Sequence, residues 1–129
     1  MPYLADTVTV IRHFTDSGKI GGRARHILEQ IEANHDSLVI SVISLMEIMY
    51  LSDKHRIDIT LSETFRTIES SSNYTVADLT PEILQTAQTV IFNELHDRLI
   101  LSTAKFLGIA IISSDENFKD VPGVEVIWD

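Results

Sequence analysis

The stretch "NELHDRLILSTAKFLGIAIISSDENF", Asn93–Phe118, decides how the 129-residue chain is read. The run "RLILSTAKFL" from Arg98 has the apolar spacing of a helix, and Gly108 stands where a helix commonly ends on a left-handed residue. "IAIIS", Ile109–Ser113, is short and wholly apolar up to its serine, as expected of a strand buried on both faces. Acids bracket the pair: Glu94 and Asp97 precede the helix, and Asp115 and Glu116 follow the strand.

The same alternation extends toward the N-terminus. "YLA" is a short apolar run that ends at Asp6, "TVTVIRHF" reads as a helix, "DSGKIGG" as a loop, and "RARHILEQIEANH" has helical spacing at Ile27, Leu28 and Ile31. "SLVIS" is a strand, followed by a helix in "SLMEIMYLSDK" whose Leu45, Ile48, Met49 and Leu51 are expected in the core. "TLSETFRTIES" is a further helix and "NYTVADL" a strand. "TPEILQTAQTVIF" opens with Thr80 as N-cap and Pro81 as first helical residue, and "VEVIW" supplies a last strand. Strands that alternate with helices and are apolar on both faces predict an α/β fold, a parallel sheet covered on both sides.

Length and composition agree with one domain over residues 1–129: hydrophobic residues make up 44% of the chain, and no repeat or linker interrupts it. There is no cysteine, which excludes disulfides, thiolate metal sites and thiol nucleophiles and suits a reducing cytoplasm. No signal peptide or membrane span is read, because Asp6 interrupts the first apolar run and no basic leader precedes it. Ten Lys and Arg against nineteen Asp and Glu give a net charge of −9, which opposes non-specific binding to nucleic acid. Bound cations can invert such a field locally.

In a parallel sheet the ligand site lies beyond the carboxyl ends of the strands. Asp6 and Asp115 follow two of the strands, Glu47 lies in the first two turns of a helix that follows a third, and Asp97 starts the helix before "IAIIS". Each acid also has a plain structural reading. Ser44 and Glu47 fit a capping box, Asp6 and Asp115 fit helix caps, and Glu94 and Asp97 favour a helix N-terminus. Together they repel: two unit charges about 4 Å apart at an effective dielectric near 20 repel by about 4 kcal/mol, so a cluster calls for protons or cations. Carboxylate oxygens without His or Cys partners suit Mg²⁺ or Mn²⁺.

Here the motifs resemble a known family. "YLADT", "SVISLMEI", "ELHDRLILSTAKFLGIAIISSDENF" and "PGVEVIWD" are similar, in order and separation, to those of PIN domains, and in particular to the VapC-type toxin ribonucleases. The resemblance implies a three-layer α/β/α fold and a nuclease that cleaves single-stranded RNA with Mg²⁺ or Mn²⁺. It also implies a metal-binding and catalytic quartet of Asp6, Glu47, Asp97 and Asp115. Thr7 and Ser113 match hydroxyl residues that orient those carboxylates, and Glu94 stands where many members have an additional Asp. Val8 departs from the polar residue that many members carry after "DT". An antitoxin partner and a homodimer follow from the same resemblance, which leaves no role for a membrane. The competing reading is a non-catalytic module that keeps the fold and binds a basic peptide in its acidic groove.

His96 reads as a polar residue at a helix start, and His13, His26, His35 and His55 lack metal-ligand spacing. Neither G-x-S-x-G nor a phosphate-binding loop occurs. Arg12, Arg23, Arg25, Lys54, Arg56 and Arg66 are the cations expected to meet an RNA backbone if one binds.

Overall fold

The computed structural model describes residues 1–129. Five strands, β1 (Pro2–Ala5), β2 (Ser37–Ser41), β3 (Tyr74–Ala77), β4 (Ile111–Ile112) and β5 (Val126–Ile127), form one sheet in the order β3-β2-β1-β4-β5. Every pairing is parallel, with Leu4 opposite Ile111 and Ala5 opposite both Ile40 and Ile112. Six helices cover it: α1 (Thr7–Thr15), α2 (Gly22–Glu32), α3 (Val42–Asp53), α4 (Leu61–Glu69), α5 (Pro81–Ala87) and α6 (Leu95–Leu107). None is long and apolar enough to cross a membrane.

The period-two rule for strands builds the three layers. Leu4 and Ile111 point into one core with Ile43, Leu99, Ile100, Leu101 and Phe118, beneath α5 and α6. Their neighbours Ala5 and Ile112 point into the other with Val10, Ile27, Ile31, Leu45, Ile48 and Ile68, beneath α1, α2 and α4. The chain is therefore an α/β protein with a central parallel sheet, as its apolar strands predict.

Helix boundaries follow local chemistry, and two differ from expectation. α3 starts at Val42, because the Ser41 side chain accepts from the Ile43 amide and serves as the N-cap. Ser44 and Glu47 are therefore inside the helix and form no capping box. The box belongs instead to α4, where the Thr60 and Glu63 side chains reciprocally satisfy each other's backbone amides. α5 keeps its Thr80 cap but stops at Ala87 rather than running on to Phe92. There the Arg98 guanidinium donates twice to the Ala87 carbonyl, at 3.0 and 2.7 Å, and ends the helix. Strands β4 and β5 have only two ladder residues each, shorter than "IAIIS" and "VEVIW" suggest. At the end of α6, Gly108 takes the left-handed conformation at φ 67° that its position predicts.

One contact ties the C-terminus to the first half of the fold. Gly21 precedes α2 and offers no side-chain cap, so the Trp128 carbonyl caps the helix by accepting from the Ala24 amide at 2.9 Å. A Cβ on Gly21 would collide with that carbonyl. Gly21→Ala is thus expected to destabilise the fold by about 1–2 kcal/mol, through displacement of the C-terminal segment. A thermal melt against the parent chain measures it, and an unchanged midpoint contradicts the capping role.

Candidate active site

The strand order turns back at β1, whose neighbours β2 and β4 are reached by chain leaving in opposite directions, and such a switch point opens a crevice at the carboxyl ends. Asp6 leaves the end of β1, and Ser113 and Asp115 leave the end of β4. α3 brings Glu47 from the end of β2, and the first turn of α6 brings Asp97.

Asp6 is the deepest of these acids, only 7% exposed. Its Oδ1 accepts from the Thr9 amide at 3.0 Å, which makes it the N-cap of α1, and its Oδ2 accepts from the Ser113 hydroxyl at 2.6 Å. Burial pushes its carboxyl above the ordinary value; the bonds from Ser113 and Thr9 pull it back, and the charge of Asp115 adds to the rise. Ser113, itself buried, also accepts from the Asp115 amide at 3.0 Å. One hydroxyl thereby links two acids from different strand ends. Asp115 Oδ1 caps the short 3₁₀ helix Glu116–Asp120 through the Asn117 amide at 2.9 Å. Capping and a place in the cluster coexist, because each cap uses one carboxylate oxygen.

Thr7 provides a second link. Its hydroxyl lies 2.5 Å from Glu47 Oε1 and 2.9 Å from Ser44 Oγ. It has one hydrogen, and an ionised carboxylate can only accept, so Thr7 donates to Glu47 and accepts from Ser44. Ser44 is fully buried and, contrary to the capping-box reading, orients the threonine that orients Glu47. The other oxygen of Glu47 lies 3.5 Å from His96 Nδ1, and Glu94 lies 3.9 Å from the same nitrogen. His96 therefore sits between two of the acids.

Glu94 is the N-cap of α6 and accepts from the Asp97 amide at 2.7 Å. Asp97 sits one turn further on, partly buried, with its carboxyl pushed up to about 6. Burial is the largest cause, followed by the charges of Glu94, Glu47, Asp6 and Asp115 in that order. Glu94, Glu47, Asp6 and Asp115 are thus each close enough to Asp97 to oppose its ionisation.

The donor set of four carboxylates is the kind that a hard divalent cation takes. No three of the acidic or histidine side chains converge as a finished ligand cluster. Thr7 and His96 draw Glu47 aside, while the caps engage one oxygen each of Asp6 and Asp115. A cation would have to draw these side chains inward, and the second oxygen of Asp115 and the carboxyl of Asp97 have no hydrogen-bond partner to give up.

Beside the cluster lies a cavity of about 560 Å³, lined by Glu94, Asp97, Asp115 and Asp120 together with Ile91, Phe92, Val121, Asn93 and Asn117. None of the six basic residues expected to meet nucleic acid lines it. Arg12 and Arg25 instead line a separate cavity of about 540 Å³ between α1 and α2, with Glu29, Glu32 and Tyr74, and Arg23 pairs with Glu125 at 3.5 Å. The sequence also hid the surface role of α3: Ile48 is core, but Met49 is 43% exposed and shares a face with Met46 and Tyr50.

Comparison with known proteins identifies the fold and its family. The PIN domain model matches residues 3–124. No curated protein matches the chain. Among solved structures, VapBC2 from Rickettsia felis bound to a DNA fragment from their promoter is similar in fold, with a TM-score of 0.74 at 18% identity and full coverage of both chains. A toxin-antitoxin complex from Klebsiella pneumoniae has a TM-score of 0.64 at 25% identity, over 97% of this chain and 95% of that one. DNA-bound VapBC from Salmonella typhimurium has a TM-score of 0.70 at 18% identity, over 98% and 97%. With the family model spanning nearly all of the sequence and the fold shared end to end, the chain belongs to the PIN domain family.

Proposed function

We propose that the chain is the nuclease toxin of a toxin–antitoxin pair and hydrolyses single-stranded RNA phosphodiesters with Mg²⁺ or Mn²⁺ held by Asp6, Glu47, Asp97 and Asp115. The observation that carries the reading is that acids brought by separate segments to one edge of the sheet lie near enough to Asp97 to act on it, so that burial and their charges hold its carboxyl near 6. Such a cluster carries negative charge without a neutralising Lys or Arg within ion-pair distance, and a divalent ion relieves it.

A divalent ion held there supplies Lewis acidity toward water and countercharge for the phosphoryl oxygens. The protein's own groups supply position. Ser113 fixes Asp6 relative to Asp115, and the Ser44–Thr7 chain fixes one oxygen of Glu47. Support of this kind for ligating carboxylates sets both affinity and rate. His96, close to Glu47 and Glu94, adds positive charge to the rim when protonated.

A protein partner accords with the toxin–antitoxin complexes among the structural neighbours. Met46, Met49 and Tyr50 on one face of α3 offer apolar surface that an antitoxin or a second copy would cover.

Incubation with mixed-sequence single-stranded RNA tests the reading. Cleavage is expected with Mg²⁺ or Mn²⁺ and is expected to disappear in EDTA. Cleavage that persists in EDTA overturns the metal assignment. No cleavage, together with tight capture of a basic peptide, favours the binding-module reading.

A further inference from the structure

The cavity beside the acids is lined by two chemically different sets of groups. Glu94, Asp97 and Asp115 are one; Ile91, Phe92 and Val121, with the amides of Asn93 and Asn117 and the carboxylate of Asp120, are the other. Ile91, in the second set, is 92% exposed, an apolar side chain with no intramolecular partner over most of its surface. Phe92 is held edge-on against the buried Phe118, with ring centroids 5.3 Å apart at 84°, so this wall is fixed by the core. Neither asparagine side chain makes a hydrogen bond within the chain.

No Lys or Arg lines the cavity, so its apolar and amide lining is unsuited to a phosphate. An apolar wall flanked by free amides suits a flat heteroaromatic group with polar edges. Cavities of about 300–1,000 Å³ accept groups of that size. On the nuclease reading above, the group next to a scissile phosphate that has this chemistry is a nucleobase.

We infer that the Ile91–Phe92–Val121 wall of the cavity is a nucleobase subsite, which seats one unpaired base beside the acid cluster and favours bases bearing an exocyclic amino group over uracil. A base can enter only when it is free of its helix, which selects single-stranded RNA. Ile91 and Phe92 contact the base, and Asn93 and Asn117 meet its edge with one acceptor and two donor hydrogens each. Asp120 adds only acceptors, as do the neighbouring acids. Adenine, cytosine and guanine offer an amino group to those acceptors; uracil offers only its N3–H, flanked by two carbonyls that face them unfavourably. A basic side chain from a protein partner would pair with the acids alone and would leave the apolar wall and the amides without a role.

The inference rests on the nuclease reading, and two measurements on the full chain separate their fates. In the first, a single-stranded RNA pool is cut with Mn²⁺ and the ends are sequenced. The parent chain is expected to favour an amino-bearing base over uracil by about tenfold at one position flanking the cut, and the triple variant Asn93→Ala/Asn117→Ala/Asp120→Ala, which removes the acceptors that meet the base edge outside the acid cluster, to bring that ratio close to one. Ile91→Ser is expected to slow cutting several-fold without restoring uracil. A cut-site profile identical in parent and triple variant overturns the subsite and leaves the nuclease intact. In the second, adenosine, cytidine, guanosine and uridine at millimolar concentration are titrated into metal-free protein, and the Asn93 and Asn117 side-chain amide resonances are followed. Shifts with the amino-bearing nucleosides that exceed those with uridine support the subsite even where no RNA is cut. Unmoved resonances, or resonances that respond to an arginine peptide and to no nucleoside, overturn it.

Discussion

Asp97→Asn is expected to lower RNA cleavage by at least two orders of magnitude while raising the thermal stability of the metal-free chain. The two effects have one origin. The carboxyl of Asp97 is opposed by burial and by the charges of Glu94, Glu47, Asp6 and Asp115, which the folded chain tolerates at a cost. Held at about 6 against an ordinary 3.8, it binds more protons folded than unfolded between those values. Stability therefore falls as pH rises from about 4 through about 6, and the penalty is constant above that. A shift of this size corresponds to about 3 kcal/mol at most, and solvent screening of a half-exposed group reduces it to about 1 kcal/mol. Asparagine keeps the shape and removes the charge. The variant is expected to melt above the parent at pH 7.5 in EDTA, with the difference closing toward pH 4. A variant that melts below the parent at every pH places Asp97 in the fold's support and not in a repulsive site. On the proposed reading, loss of one carboxylate from a four-acid ion site would account for the fall in rate.

Ser113→Ala is expected to lose both stability and activity. The Ser113 hydroxyl donates to Asp6 Oδ2 at 2.6 Å and accepts from the Asp115 amide at 3.0 Å, in a site where Ser113 is 1% and Asp6 7% exposed. Alanine leaves a buried carboxylate oxygen and an amide without partners, at about 1.5–3 kcal/mol. Since the bond favours ionised Asp6, its loss raises that carboxyl further; the deficit is full where Asp6 is ionised and fades as pH falls and the group protonates. Support of this kind around a metal site is worth 10- to 100-fold in affinity or rate. Ser113→Thr retains the hydroxyl and is expected to recover most of both. An alanine variant with unchanged melting and cleavage removes Ser113 from the site.

Much of this architecture was legible in the sequence because it is written in short-range rules. Period-two burial at Leu4–Ala5 and Ile111–Ile112 sets the two-sided sheet, and the Thr80–Pro81 start and Gly108 stop are local signals. The four acids could be assigned to the carboxyl edge from their places after strands and before helices. What escaped depended on contacts distant in sequence. Ser44 matches the capping-box pattern with Glu47, and only the approach of Thr7, 37 positions away, shows what its hydroxyl touches. α5 reads as continuing to Phe92 because nothing nearby stops it; the stop is Arg98, eleven residues on. Met49 has the spacing of a core residue on α3, a helix apolar on most of its surface, so periodicity alone could not distinguish its exposed face from that of Ile48. The cations expected to meet RNA are recognisable in the sequence by charge alone, and charge carries no information about which cavity a side chain lines.

Whether the acids around Asp97 form a divalent-cation site is decided by a Mn²⁺ titration of the purified chain at pH 7.5, followed by electron paramagnetic resonance of the free ion. Free signal is expected to lag behind added Mn²⁺ until a stoichiometric limit, with the lag lost or sharply reduced in Asp97→Asn. Free signal that tracks added Mn²⁺ equally in parent and variant would rule out the ion site and leave the cluster an acidic groove without a resident ion.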